Sequence, residues 1–292
     1  MQPTKVPEKP DSVEKMLDCN VRQKEFYESR FDATSRSPWA SERAANLATN
    51  TWTKLRRKIQ DLRKALGVEE HNIALHREWL GDLKEARILD LGCFSGNELS
   101  LYMAENAAEY VGIDLSQKAI DELNEKLRER GLKNARAIAQ DFLTNDFPDG
   151  CFTVVYAYSV LHHFRDIEVL LKELHRILAP GGIVISTDPM QTEPFNRVAR
   201  TLYRPLQTDR DWEWPFKFST FRTIQKYFEI SKVQGLQGIA KWGYPLQVVP
   251  GLGGLGRAIS RKGLDFDNRH ATRLGIPFYL CWHVSMRLQK PK

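Results

Sequence analysis

The sequence predicts an α/β fold in which a doubly wound sheet carries helices on both faces. Short apolar runs alternate with longer segments whose apolar residues recur at helical spacing, a pattern typical of a largely parallel sheet. The 292 residues can bury one large core with substantial additions. No apolar run approaches the roughly 20 residues that span a membrane. The first residues lack the apolar segment of a secretory signal, so we expect a cytoplasmic protein.

Cysteine content and charge exclude some kinds of site and leave others open. The four cysteines are far apart, so the sequence predicts neither a metal cluster nor a disulfide framework. The net charge is +6, but residues 190–292 alone hold 17 Lys and Arg against 7 Asp and Glu. Such a basic region can face an anionic substrate, a membrane surface or nucleic acid, or it can be a solvated surface.

Residues 87–114 predict a site for a nucleotide-like cofactor. A short buried strand stops at Gly92, a tight turn and a helix over residues 97–107 follow, and a second strand ends at Asp114. In such a unit, glycine lets the backbone approach the ligand, the helix start supplies free N–H groups, and the acid binds the ribose hydroxyls. An ordinary turn with a helix-capping glycine is the structural alternative.

The turn argues against a dinucleotide. Its pattern is Asp90-x-Gly92-x-x-x-Gly96, and Phe94 stands where a dinucleotide fingerprint has its middle glycine. Asp90 would repel a pyrophosphate but suits the ammonium group of an amino acid. S-adenosylmethionine has that ammonium group, a ribose and no phosphate.

The remainder of the chain continues the alternation of helices and strands. We expect residues 1–20 to be loose at their start. Tyr27 and Trp39 either cover the ligand site as part of a lid or anchor their helices to the core. The predicted helices are two within 21–67, then 71–83, 117–130, 167–178 and 218–228, and the later strands are 135–139, 151–157, 183–187, 229–234 and 277–284.

Several motifs resemble those of the class I S-adenosylmethionine-dependent methyltransferases of the small-molecule type. Residues 88–98 and 111–116 are similar to the first two motifs, and residues 152–186 to the later ones. The resemblance implies a Rossmann-like, seven-stranded doubly wound sheet with an antiparallel last strand. It also implies a helical N-terminal lid over 1–83 and a methyltransferase domain over 84–292, with C-terminal insertions at about 189–217 and 238–275.

The resemblance further implies that S-adenosylmethionine is the cofactor. Asp114 would bind its ribose, and Asp141 would accept a hydrogen bond from the adenine amino group with Phe142 beside it. The expected cofactor-binding residues are Asp90, Gly92, Cys93, Gly96, Asp114, Leu115, Asp141, Phe142, Tyr158 and Tyr27.

The candidate catalytic residues are His162, His163 and Asp188. His162 follows the fourth predicted strand and Asp188 ends the fifth, at the sheet edge where doubly wound folds bind ligands. The arrangement is similar to natural-product sugar O-methyltransferases, in which such a histidine and acid remove the proton of a hydroxyl. His162 is the matching base, with His163 as the second choice. The alternative is that this Leu-His-His segment only packs beneath the cofactor.

The C-terminal third is expected to bind the acceptor. Arg200, Tyr203, Trp212 and Trp214 are the candidate substrate-binding residues. Residues 240–262, apolar and then basic, suit a lid, a peripheral membrane contact or a packing element.

Four functions remain open at this point. The first is O-methylation of a small or lipophilic metabolite, and the second is C-methylation of a prenyl, quinone-like or lipid-linked acceptor. RNA methylation is less favoured, and no nucleic-acid partner is expected because the sequence shows no separate RNA-binding module. A non-catalytic cofactor-binding protein is the last.

Overall fold

The computed structural model describes residues 11–28, 47–203 and 213–292. The expectations for Trp39 and Trp212 lie outside these residues. Seven strands of the described ranges form one sheet: β1 (Arg87–Leu91), β2 (Glu109–Asp114), β3 (Ala135–Ala139), β4 (Phe152–Tyr158), β5 (Leu178–Pro189), β6 (Glu229–Leu236) and β7 (His283–Gln289).

The strand order confirms the predicted doubly wound topology. It runs β3-β2-β1-β4-β5-β7-β6. From β1 the chain adds β2 and β3 on one side and then β4 and β5 on the other, so the strand order reverses between β1 and β4. The pairs from β3 to β5 are parallel, whereas β7 is antiparallel to both β5 and β6. Because β1, β2, β4 and β5 are parallel, their carboxyl ends meet at one edge of the sheet.

Helices cover both faces of the sheet and form two apolar layers. In one layer, the helices at 167–177 and 218–227 pack on side chains such as Leu89 and Val155, and in the other the helices at 68–80, 98–106 and 117–129 pack on Ile88 and Tyr156. The helices are α1 (Asp11–Glu28), α2 (Leu47–Ala65), α3 (Val68–Leu80), α4 (Glu98–Asn106), α5 (Gln117–Glu129), α6 (Ile167–Ile177), α7 (Pro194–Tyr203), α8 (Phe218–Tyr227), α9 (Gly243–Val248), α10 (Gly253–His270) and α11 (Ile276–Tyr279).

Side-chain caps fix where three of these helices begin. Asn97 accepts a hydrogen bond from the backbone of Ser100 at the start of α4. Ser116 does the same for α5, and Asp166 for α6. Caps of this kind satisfy backbone N–H groups that have no partner within the helix. They therefore place the helix starts next to the carboxyl edge of the sheet.

Two sequence predictions of secondary structure were wrong. Helix α1 begins at Asp11, about ten residues before the predicted helical region, because Val13, Met16 and Cys19 supply a buried face. The last strand is His283–Gln289 rather than residues 277–284. Pro277 stands in the first turn of the short helix α11, where proline is favoured.

The insertion between β6 and β7 is a packed helical unit. Helices α9 and α10 cross at Gly243 and Gly256, where an added Cβ on either glycine would overlap the backbone of the other helix. Gly243 and Gly256 therefore serve close helix packing. The Lys241 ammonium group lies 3.5 Å from the Glu193 carboxylate, and both side chains are buried, so the insertion is tied to the start of α7.

Candidate active site

A cavity of about 250 Å³ opens at the carboxyl edge of the sheet, above the ends of β1, β2, β3 and β4. Eight residues predicted to bind a cofactor or to act in catalysis line it: Tyr27, Gly92, Asp114, Leu115, Asp141, Phe142, Tyr158 and His163.

Asp114 presents its carboxylate at the end of β2. Oδ2 accepts a hydrogen bond from the backbone N of Phe94 at 3.0 Å, and Oδ1 accepts one from Ser116 N at 2.9 Å. Burial raises the pKa of Asp114, although these backbone hydrogen bonds oppose the rise. The turn after β1 and the start of α5 thus hold the carboxylate in place beside the cavity.

Asp141 lies just after the end of β3, at the same edge of the sheet as Asp114. Its Oδ1 accepts a hydrogen bond from Leu143 N at 2.9 Å, and its Oδ2 accepts one from the side-chain amide of Asn20 at 2.8 Å. Asn20, Gln23 and Tyr27 lie on one face of α1, and all three line the cavity. Sequence reasoning missed Asn20 and Gln23; their helical spacing from Tyr27 was the available signal.

The turn after β1 carries an unusual backbone conformation. Phe94 has a φ of 48°, a left-handed value that non-glycine residues rarely adopt. Its ring centroid lies 6.2 Å from that of Tyr27, which in turn lies 6.4 Å from His163. Phe94 therefore adopts a backbone conformation that normally favours glycine. Its aromatic ring forms part of the cavity wall.

Three predicted cofactor-binding residues do not line the cavity. Asp90 is buried and accepts a hydrogen bond from the Tyr110 hydroxyl at 2.7 Å, and burial raises its pKa to about 6. Cys93 is buried, which raises the pKa of its thiol well above the usual value. Gly96 has a φ of 75°, and an added Cβ would lie 2.6 Å from the Leu123 side chain, so it lets the turn approach α5.

His162 and Asp188 form a buried pair beside the cavity. Nδ1 of His162 lies 2.9 Å from Oδ1 of Asp188, and the same oxygen accepts a hydrogen bond from the backbone N of His162 at 3.1 Å. Burial raises the pKa of Asp188 to about 7 against the effect of these hydrogen bonds. His163 lines the cavity, and its ring centroid lies 4.1 Å from that of His162.

Of the acceptor candidates among the described residues, Trp214 contacts this pair through its backbone. The backbone N of Trp214 donates a hydrogen bond to the carbonyl of His162 at 2.7 Å. Burial lowers the pKa of His283, which begins β7, and the charges of Arg63, Arg200 and His162 lower it further. Arg200 and His162 therefore both lie within electrostatic range of His283. Tyr203 ends α7.

The chemistry of the lining selects among cofactors. Its members from the described part of the chain include two carboxylates and no Lys or Arg. The start of α4, where a pyrophosphate would bind, is capped by Asn97 and carries Glu98 in its first turn. These groups disfavour a phosphate and fit a ligand with a positive charge, hydroxyl groups and an amino group, which S-adenosylmethionine has.

Comparison with known proteins identifies the segment of the chain around the cavity. Residues 89–186 match a family described as a methyltransferase domain, and this segment runs from β1 into β5, around the cavity. The chain contains a class I S-adenosylmethionine-dependent methyltransferase domain.

Relatives of the methyltransferase domain differ in their acceptors. A demethylmenaquinone methyltransferase of Thermus thermophilus is 37% identical over 40% of this chain and 54% of its own length. A sterol 24-C-methyltransferase of Aspergillus fumigatus is 28% identical over 46% of this chain and 35% of its own. The chain thus spans about half, or less, of the length of these relatives.

The fold is shared with solved methyltransferase structures. A geranyl diphosphate C-methyltransferase from Streptomyces coelicolor, solved with S-adenosyl-L-homocysteine, superposes with a TM-score of 0.52 at 14% identity. The match covers 81% of this chain and 83% of that one. At this identity the similarity concerns the fold.

Proposed function

We propose that this protein transfers the methyl group of S-adenosylmethionine to a lipophilic acceptor, with His162 as the base that takes a proton from it. The observation that carries the proposal is the juxtaposition of a carboxylate-lined cavity with the buried His162–Asp188 pair. Cofactor and acceptor would then meet at one sheet edge, as in other doubly wound folds.

The residues that would hold the cofactor follow from the cavity. Asp114 can accept hydrogen bonds from the ribose hydroxyls, and Asp141 can accept one from the adenine amino group. Phe142, Leu115 and Phe164 supply apolar wall beside them. When bound, the cofactor supplies an electrophilic methyl group on a sulfonium. The protein's own contribution is to position the acceptor in line with that group and to manage its proton.

His162 would carry out the proton transfer. Nδ1 of its ring lies 2.9 Å from Oδ1 of Asp188, and a proton on Nδ1 that is donated to this carboxylate would leave Nε2 as the basic nitrogen. Trp214 holds the backbone of the same residue. The carboxylate of Asp188 also stabilises the imidazolium that forms when His162 takes the proton.

The relatives favour carbon as the acceptor atom. Their names specify transfer to a sterol carbon and to demethylmenaquinone. Removing a proton from a hydroxyl on a conjugated ring raises the electron density at the adjacent ring carbon as well as at the oxygen. The His162–Asp188 pair therefore serves C-methylation of such an acceptor, and O-methylation is the second candidate that the same geometry favours.

Arg63 and Arg200 would contact a polar group of the acceptor. Their Nε atoms are buried and have no hydrogen-bond partner among the described residues. Both charges act on His283, which is also influenced by His162. A buried donor without a partner is costly, so a polar or anionic acceptor group beside the methyl-accepting atom would satisfy it.

Two measurements test the proposal. Calorimetric titration should show binding of S-adenosylmethionine and none of NAD. Incubation with methyl-labelled cofactor and a panel of quinols, sterols and phenols should label a lipophilic compound, and NMR of the product identifies the methylated atom. Binding of NAD alone, or label transfer to RNA and to no lipophilic compound, would overturn the proposal.

A further inference from the structure

Helix α7 exposes its apolar face to solvent. Phe195, Val198 and Leu202 are 72, 61 and 75% exposed, and their spacing places them on one side of the helix. The opposite side carries Asn196, which is buried and donates a hydrogen bond to the carbonyl of Met190. A surface helix normally buries its apolar face, so this orientation indicates an interaction surface.

The insertion extends this face. The ring of Trp242 lies edge-on to Phe195 at 6.0 Å between centroids and is half exposed. Leu252 and Leu255, at the start of α10, are exposed as well. We call Phe195, Val198, Leu202 and Trp242 the apolar surface.

The apolar surface is preformed. The Glu193 carboxylate accepts hydrogen bonds from the backbone N of Phe195 at 3.0 Å and of Asn196 at 2.7 Å. The Lys241 ammonium group pairs with the same carboxylate and donates to the carbonyl of Leu280 at 2.6 Å. This buried pair fixes the start of α7 against the segment that carries Trp242, so docking requires no refolding.

Among the described residues, the exposed charges on α7 and on the first half of α10 are positive. Arg197 on α7 and Arg257, Arg261 and Lys262 on α10 are exposed. Residues 236–264 contain no Asp or Glu, and Glu193, within residues 190–203, is buried. A second copy docked face to face would bring these cations together, whereas an anionic bilayer would neutralise them.

We propose that the apolar surface docks on an anionic phospholipid membrane, with Phe195, Val198, Leu202 and Trp242 entering the headgroup boundary. This inference rests on the proposed function, because a lipophilic acceptor resides in that phase. Helix α7 begins six residues after Asp188, so docking places the reactive edge of the sheet next to the lipid. No helix among the described residues meets the length and apolarity needed to cross a bilayer, so the contact is peripheral.

Vesicle flotation tests the docking. The full chain is mixed with vesicles of phosphatidylcholine alone or of phosphatidylcholine with phosphatidylglycerol. We expect binding to the anionic vesicles, about tenfold weaker binding for the double variant Val198→Ser/Leu202→Ser, and loss of the preference for anionic lipid in Arg257→Glu/Arg261→Glu. The matched control is Val21→Ser, because Val21 is 58% exposed on α1, away from this surface.

The possible outcomes separate this proposal from the proposed function. Calorimetric binding of S-adenosylmethionine and turnover of a detergent-dispersed acceptor should not change in the serine double variant. Equal flotation of wild type and double variant would overturn the docking proposal, as would a dimer in light scattering that the double variant dissociates. If the wild-type protein does not bind S-adenosylmethionine, the proposed function is wrong. The flotation experiment would still test the membrane docking.

Discussion

The ring of His162 is hydrogen bonded to a carboxylate that is completely buried: Nδ1 lies 2.9 Å from Oδ1 of Asp188. The two residues come from different elements, since His162 follows β4 and Asp188 lies near the end of β5. Parallel neighbouring strands place them together, and burial makes the pair sensitive to protonation near neutral pH.

Replacement of His162 tests its role as the base. His162→Gln retains a donor for Asp188 but cannot take a proton, so we expect turnover to fall about 100-fold or more with cofactor affinity unchanged. His175→Gln on α6 is the matched control, because that residue lies outside the site. Turnover is measured by methyl-group transfer and affinity by calorimetry. An unaltered rate in His162→Gln would leave the histidine with a packing role only.

The rate of methyl transfer should rise with pH through about 7. The pair must lose a proton before His162 can accept one from the acceptor, and burial raises the pKa of Asp188 to about 7. We therefore expect low activity at about pH 5 and a plateau above about pH 8 in single-turnover measurements. A profile that is flat across this range would argue against the pair.

The raised pKa of Asp188 also predicts how the unfolding free energy depends on pH. Because the pKa of Asp188 is raised in the folded state, ionisation opposes folding, and the unfolding free energy falls as pH rises from about 4 to about 7. Asp188→Asn removes this penalty. Relative to wild type, the variant should therefore gain about 3 kcal/mol between about pH 5 and about pH 8 in urea unfolding. If the difference in unfolding free energy between the variant and the wild type does not change with pH, the raised pKa of Asp188 is contradicted.

The ribose assignment of Asp114 is tested by truncation. Asp114→Ala removes acceptors for the ribose and for the backbone N–H groups of Phe94 and Ser116, so we expect cofactor affinity to fall about 10- to 100-fold. Asp121→Ala, on the exposed side of α5, is the control. Calorimetry measures the affinity, and thermal unfolding checks that both variants remain folded. Unchanged affinity in Asp114→Ala would refute the ribose contact.

Local patterns were enough to predict the sheet and much of the cofactor site. Each acid directly follows or ends an apolar strand pattern, so the sequence alone could place Asp114, Asp141 and Asp188 at one edge of the sheet. The position of β7 was missed because aromatic residues around Tyr279 favour a strand in isolation. In the fold, Pro277 starts a short helix there, and the buried Val284, Met286 and Leu288 mark the actual strand.

Contacts between elements that are distant in sequence could not be predicted. Asn20 bonds to Asp141 across 121 positions; its helical spacing from Tyr27 could place it on the same face of the helix, but it could not identify Asp141 as its partner. Asp90 was expected to bind a ligand group, but Tyr110 on the neighbouring strand contacts it instead. The exposed face of α7 likewise depends on the burial of Asn196, which only the packed structure shows.

Helix α1 should tighten over the cavity when the cofactor binds. Tyr27 lines the cavity, and a ring contact between Tyr27 and the adenine of the cofactor would contribute about 0.5–1.5 kcal/mol. Tyr27→Ala should therefore weaken cofactor binding about 3- to 10-fold, whereas Val21→Ala on the exposed side of the same helix should not. Hydrogen exchange of the α1 amides should slow when S-adenosylmethionine is added to the wild type, because Asn20, Gln23 and Tyr27 line the cavity. Exchange that is equally fast with and without cofactor would show that α1 packs on the domain without covering its ligand.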